Sequence, residues 1–342
     1  MLVASCRLQV TGYELQVNGI IMSEKGNSII RRKVVIVGAG AVGSTHCYAL
    51  AQSGLADEIV IIDKNEDLAR GQVLDLVHGQ PFFPTVSIKV GNSKDFASAN
   101  IIVITAGVNQ KPGETRLQLL QKNASIIKDI ITEIISQNSP GVVIIVTNPV
   151  DILTYIAIKH SRWERGRIIG SGTVLDSARF RYLLSEHCRV DVHNVHAYML
   201  GEHGDSEFAA WSMTNIAGMP IEEYCPVCMN CSNWDLERKQ IEQEVKDSAY
   251  HIIGYKGATY FAVGLALVRI VGAILRGQRS VLTVSALLDG EFGLNDVCLS
   301  VPCIVSNKGI RKIIESNLNE QELKSLSGSA EVLKTAIKQL SL

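Results

Sequence analysis

The chain has 342 residues, 46% hydrophobic and 20% charged, with a formal net charge of -1 at pH 7. That length carries one large or two medium domains with a real core, and nothing in the near-neutral balance calls for nucleic acid or an anionic membrane as partner. Eight cysteines, few and scattered for this length, argue against a disulfide scaffold.

Met1 to Val10 lacks the basic start and apolar stretch of a signal peptide, so the expected location is cytoplasmic. Residues 1–32 form an N-terminal extension with no clear period. Met22-Ser-Glu-Lys opens an ordinary polar lead-in, and Met22 is the expected natural start, with residues 1–21 upstream of it.

Short apolar runs follow at Lys33–Val37, Glu58–Asp63, Ser87–Val90, Asn100–Ala106 and Val142–Val146. Val and Ile dominate them with little alternation, the pattern of strands buried on both faces in a parallel sheet. Between the last two runs, Ile127, Ile130, Ile131, Ile134 and Ile135 share one face of a helix. Repeated strand–helix units predict an α/β fold, a Rossmann-type doubly wound parallel sheet. The first run leads into Gly38-Ala39-Gly40-Ala41-Val42-Gly43, with a helix expected over Ser44–Ser53. Gly38 permits the tight turn, Gly40 lets the backbone approach a pyrophosphate, and Gly43 lets helix and strand pack closely. Asp63 ends the second run, where an acid accepts hydrogen bonds from ribose hydroxyls and favours NAD over NADP; Lys64 beside it weakens that exclusion slightly. The plain alternative is a glycine turn that holds no cofactor.

In the second half, Ile168–Thr173 extends the sheet or starts a new unit, and a helix follows Asp176. Residues 233–275 are largely helical; the apolar run Ala258–Leu275 carries Arg269 and several glycines and reads as a buried helix, not a membrane span. Ser280–Leu288 and Val297–Val305 read as strands joined through Gly290 and Gly293. The last helix carries a stripe of Leu323, Leu326, Leu333, Ile337 and Leu340, with Asn319 and Glu322 spaced as a capping box. The expected division is a dinucleotide-binding domain over 33–170 and a C-terminal α+β substrate domain over 171–342.

Four segments carry a resemblance. They are residues 107–116 (Gly-Val-Asn-Gln-Lys-Pro-Gly-Glu-Thr-Arg), 147–151 (Thr-Asn-Pro-Val-Asp), 172–179 (Gly-Thr-Val-Leu-Asp-Ser-Ala-Arg) and 201–205 (Gly-Glu-His-Gly-Asp). On them the chain resembles the L-lactate/malate dehydrogenase family along nearly all of residues 33–342. The resemblance implies His203 as proton donor, a role that suits a group titrating near working pH. It implies Asp176 as the partner that orients His203, Arg116 as the cation polarising the substrate carbonyl, and Arg179 as the clamp on the substrate carboxylate. Arg116 follows a Pro112-Gly113 turn that suits a mobile loop. Asn148 is implied near nicotinamide or substrate, before a Pro149 expected in the cis form. Thr259 is implied on the far side of the pocket. NAD is the implied cofactor, with Val42, Thr105, Ala106, Gly107, Thr147 and Asn148 beside the glycines, Asp63 and Lys64.

Gln110 stands where relatives that reduce oxaloacetate carry an arginine. A neutral side chain leaves a second substrate carboxylate unpaired in a closed site, so pyruvate and L-lactate are the implied substrates. Arg181 and His196 match positions where bacterial members bind fructose 1,6-bisphosphate, and the resemblance implies a homotetramer. Cys225, Cys228 and Cys231 lack a fourth ligand at suitable spacing and read as loop thiols, with no metal site expected. The rivals are a malate or other L-2-hydroxy-acid dehydrogenase, an NAD-binding protein without turnover, and an NAD-using glycosidase.

Overall fold

The computed structural model describes residues 9–10, 13–14, 31–109, 113, 115–228 and 233–340, with backbone alone at 9–10, 13–14 and 226–228. The chain divides into two units, Met1–Arg31 and Arg32–Leu342. In the first, Gln9–Val10 pairs antiparallel with Tyr13–Glu14. The remainder of the expected N-terminal extension up to residue 30, Met22 included, lies outside the described residues.

The second unit is built on one sheet. Strands β1 (Lys33–Val37), β2 (Glu58–Ile62), β3 (Ser87–Val90), β4 (Ile101–Ile104), β5 (Val142–Ile145) and β6 (Ile168–Gly170) run parallel in the order 3-2-1-4-5-6. This is the doubly wound order, with its switch point between β1 and β4. Every residue of β1, β4 and β5 is buried, which is why their sequences show no alternation. The crossovers are α1 (Ala41–Ser53), α2 (Glu66–His78), α3 (Arg116–Ser136) and α4 (Val150–Ser161). Helix α1 begins at Ala41, not Ser44, so Gly43 lies inside its first turn. Ile127, Ile131 and Ile134 of α3 are fully buried, and Ile130 and Ile135 pack at the margin.

Helix α5 (Val174–Cys188) follows β6. Short strands come next: β7 (Val195–His196), β8 (Met199–Leu200), β9 (Phe208–Ala209), β10 (Asn215–Ile216) and β11 (Met219–Pro220). Helices α6 (Ile221–Cys228), α7 (Trp234–Lys256) and α8 (Phe261–Leu275) follow. The predicted helical stretch 233–275 is thus two helices, divided where Gly257 ends α7 with a φ of 83°. The run expected to be a buried helix is buried along Leu267, Ile270, Val271 and Ile274, but Phe261 and Leu265 face out. The hairpin β12 (Ser280–Asp289) and β13 (Asn295–Ser306), extended by β14 (Gly309–Ile313), joins the main sheet antiparallel through Ser285 and Gly170.

Helix α9 (Glu320–Lys338) starts with the predicted capping box between Asn319 and Glu322. Leu326, Leu333 and Leu340 are buried and Ile337 is partly buried, whereas Leu323 is 39% exposed and lies outside the buried stripe. A second, smaller core of Phe180, Leu184, Val195, Met199 and Val245 locks α5 to α7. Among the described residues, no helix is long and apolar enough to cross a membrane.

Candidate active site

The glycine loop lies between β1 and α1. Gly38 has a φ of 113°, and a Cβ there would meet Thr105 Oγ1 at 2.6 Å. A Cβ on Gly43 would lie 1.9 Å from the Gly38 carbonyl. Both positions are therefore closed to any side chain by the protein itself. Gly40 differs: it caps α1 with no side-chain hydrogen bond, and a Cβ there would meet nothing within 4 Å. The free N–H groups and positive end of α1 thus open onto empty space, as an anionic pyrophosphate requires.

Asp63 follows β2, and its carboxylate accepts from Ala39 N at 2.7 Å and Asn65 N at 2.8 Å. This fixes an acid at the rim of the glycine loop; Lys64 beside it is exposed. Thr105 Oγ1 donates back to the β1 terminus, and Thr147 Oγ1 donates to Ala106 O at 2.7 Å. A Cβ on Gly107 would meet Thr147 Cγ2 at 2.4 Å. Asn123 of α3 joins the two loops, accepting from Val108 N at 2.9 Å and donating to Asn148 O at 3.2 Å. All of these groups follow the carboxyl ends of β1, β2, β4 and β5, the edge where open α/β sheets bind ligands. The cradle, the open helix end and the fixed acid fit a dinucleotide.

Around the C-terminal half of the same edge, His203 Nδ1 lies 2.7 Å from Asp176 Oδ2, and Arg179 Nη1 donates to Asp176 Oδ1 at 2.7 Å. Asp176 and Arg179 are three residues apart on α5, so one helix turn presents both side chains together. The His203 loop is held from behind: its backbone N–H donates to Asp151 Oδ2 at 2.7 Å, and Gly201 bridges to Ser300 of β13. Burial opposes the charge on Asp176, but His203 and Arg179 outweigh it and hold the carboxyl below its usual range. Burial likewise opposes the imidazolium; the Asp176 carboxylate outweighs it and the ring is pushed up to about 9. Burial pushes Asp151 up to about 6 despite hydrogen bonds from Ser285 and the His203 backbone.

A cavity of about 170 Å³ opens in front of this cluster, lined by Val42, Asn148, Arg179, His203 and Thr259 among others. The Asn148–Pro149 peptide is cis, as the sequence suggested. Arg116 is not among the cavity's lining residues; it opens α3 at an exposed position, with its charge felt at the Tyr250 hydroxyl. That hydroxyl donates to Asp205 at 2.7 Å, tying α7 to the His203 loop. Gln110 lies outside the described residues. Arg181 and His196 come together in a separate cavity of about 540 Å³, which Arg269 also lines. Cys225 is buried with Sγ 3.9 Å from His187 Nε2. Cys231 and the side chain of Cys228 lie outside the described residues. Asn123 and Asp151 support this site although the sequence assigned neither a role, because their partners are distant along the chain.

The sheet order, the cradle at its switch point and the histidine–carboxylate pair beside it define a dinucleotide-dependent oxidoreductase fold. The chain belongs to the lactate/malate dehydrogenase family: residues 32–170 match its NAD binding domain and residues 173–341 its alpha/beta C-terminal domain. It is 59% identical to an L-lactate dehydrogenase of Treponema denticola over 311 residues, covering 91% of this chain and 99% of that one. It is 53% identical to one of Acetivibrio thermocellus, covering 92% and 99%. Among solved structures, it is similar to a lactate dehydrogenase from a Medee basin deep-sea metagenome library, with a TM-score of 0.89 at 43% identity, covering 91% and 99%. The ligand-bound minor L-lactate dehydrogenase of Enterococcus mundtii gives a TM-score of 0.88 at 42% identity, covering 91% and 99%. The chain is accordingly an NAD-dependent oxidoreductase.

Proposed function

We propose that this chain is a cytoplasmic L-lactate dehydrogenase that reduces pyruvate to (S)-lactate and runs the reverse reaction. Residues 33–170 hold the dinucleotide and residues 171–342 supply most of the substrate side. NADH, when bound, supplies the hydride for C2 of the keto acid. His203 carries the proton: with Nδ1 turned to Asp176, its other nitrogen is left to donate to the carbonyl oxygen. Asp176 keeps the ring oriented and favours its charged form. Arg179 holds the substrate carboxylate with the guanidinium N–H groups not used on Asp176, which fixes the face shown to the nicotinamide. Arg116, carried on the 107–116 segment, stabilises the developing oxyanion when that segment closes. Asn148 and Thr259 complete the pocket wall.

The observation that carries this reading is the His203–Asp176–Arg179 cluster facing one small cavity at the carboxyl edge of the sheet. Gln110 sets the substrate, because a neutral side chain leaves the second carboxylate of oxaloacetate unpaired. Arg181, His196 and Arg269 lining one cavity support fructose 1,6-bisphosphate as effector; the homotetramer rests on the family resemblance alone. NADH oxidation with pyruvate and with oxaloacetate, each with and without the bisphosphate, tests the reading, and molecular mass in solution tests the assembly. Preference for pyruvate and stimulation by bisphosphate are expected. Preference for oxaloacetate overturns the substrate assignment.

A further inference from the structure

Glu207 has no place in the scheme above, yet it lies at the centre of the site. It sits four residues after His203, and its backbone N–H donates to Gly204 O at 3.2 Å, folding the chain back beneath the histidine. The residue is 3% exposed, and its Oε2 is buried with no hydrogen-bond partner. One of its carboxyl oxygens lies within 4.8 Å of both a His203 ring nitrogen and an Asp176 carboxylate oxygen.

The charged groups facing Glu207 are Asp176 and Arg179 from α5, His203 from its own loop and Lys246 from α7. Asp151 of α4 approaches His203 from the backbone side. Each cation already has another carboxylate. His203 and Arg179 both bond Asp176, and Lys246 lies 3.2 Å from Glu242. Two neighbouring carboxyls in one buried site do not both ionise, and the one with the better donors takes the charge. Asp176 has two strong donors at 2.7 Å; the Glu207 side chain makes no hydrogen bond to either cation.

We propose that Glu207 is a positioning residue, a neutral carboxylic acid that shares a single negative charge with Asp176 behind His203. This rests on the reading of His203 as the proton carrier. Burial, and after it the Asp176 carboxylate, lifts Glu207 well above the usual carboxylate range. The consequence for the reaction is direct. An ionised Glu207 would compete with the substrate carboxylate for Arg179 and would hold the proton on His203. The neutral acid does neither, and it becomes the reserve anion if Asp176 loses its charge.

Infrared spectroscopy of the full-length protein at pH 8 tests this without turnover. Wild type is expected to show the carbonyl stretch of a protonated carboxylic acid, and Glu207→Gln to lack it. Asp176→Asn is also expected to lack it, because the charge passes to Glu207; a purely structural glutamate would not respond. Glu207→Met is a second neutral variant should the amide fail to fold. In kinetics, Glu207→Gln is expected to cost at least about tenfold more kcat/KM for pyruvate in the Asp176→Asn background than in wild type, the mark of coupled groups. No such band in wild type, a band that survives in Asp176→Asn, or equal costs in both backgrounds overturns the proposal. A protein that shows the band and its loss but reduces no 2-keto acid would refute the lactate reading alone.

Discussion

Asp151 accepts the backbone N–H of His203 at 2.7 Å through one carboxylate oxygen, while its other oxygen accepts the Ser285 hydroxyl at 2.5 Å. The His203 loop is thereby hung from α4 and β12, so the position of the imidazole depends on a residue that never reaches the cavity lining. Asn at 151 satisfies both partners, its oxygen taking the His203 N–H and its amide donating to Ser285. Asp151→Asn should therefore lose under about 1 kcal/mol, while Asp151→Ala strands a buried donor and should cost about 1–3 kcal/mol. Chemical denaturation of the two variants checks this, and a fall in kcat for the alanine variant alone is expected beside it.

The proton on His203 gives the reaction a pH sign. The ring, raised above its ordinary value mainly by Asp176 against the cost of burial, and to about 9 where Glu207 and Asp151 are also charged, is protonated below its pKa and neutral above it. Reduction needs the imidazolium, so kcat/KM for pyruvate should fall as pH rises through the raised pKa of His203, no higher than about 9. Oxidation of lactate needs the neutral ring and should rise over the same range. Paired pH profiles in the two directions check this, and parallel profiles would exclude His203 as the shared group.

The glycines of the cradle separate fold from binding. Gly43→Ala drives a methyl into the Gly38 carbonyl, so the variant should lose stability and cofactor together. Gly40→Ala meets no protein atom and keeps an ordinary φ of -69°. Its Tm should match wild type while NADH affinity drops about tenfold, because the methyl projects into the proposed pyrophosphate site. Calorimetry and cofactor fluorescence titration distinguish the two.

His46 sets an acid limit on stability. It is fully buried between α1 and α8, with Nδ1 3.3 Å from Gly264 O and Nε2 without a partner. Burial, only partly offset by the Gly264 carbonyl, lowers its pKa from 6.5 to about 4. The unfolded chain therefore binds a proton that the folded chain refuses. Stability present above pH 6.5 is lost as pH falls towards about 4. This one group contributes a slope of about 1.4 kcal/mol per pH unit. His46→Gln removes the titration and should flatten the stability–pH curve in that window, as denaturant melts would show.

Strands β1, β4 and β5 were legible because burial on both faces leaves an unbroken Val/Ile signature; β3, expected to be buried in the same way, is the edge strand and alternates exposed and buried residues. The His203, Asp176 and Arg179 positions were legible because they sit in compact motifs. Helix α4 gave no such signal. It is buried on nearly every side, from Val150 through Ile158, so it has no polar face and no stripe. The two-residue strands between Val195 and Pro220 are too short to carry a period. Within the site, Asp151 meets Ser285 across 134 positions and His203 across 52. Such pairings exist only after the sheet has closed. Glu207 carries no signal in the sequence; only the fold places it beside a second buried acid.

The measurement that bears most directly on the account is His203→Asn, assayed for both NADH binding and pyruvate reduction. Asn fits the space and can hydrogen-bond Asp176, but it cannot carry the proton. Undiminished NADH binding with pyruvate reduction slowed by about 10²–10⁴-fold is the predicted result. Pyruvate reduction within tenfold of wild type would contradict it, and the proton would have to come from another group.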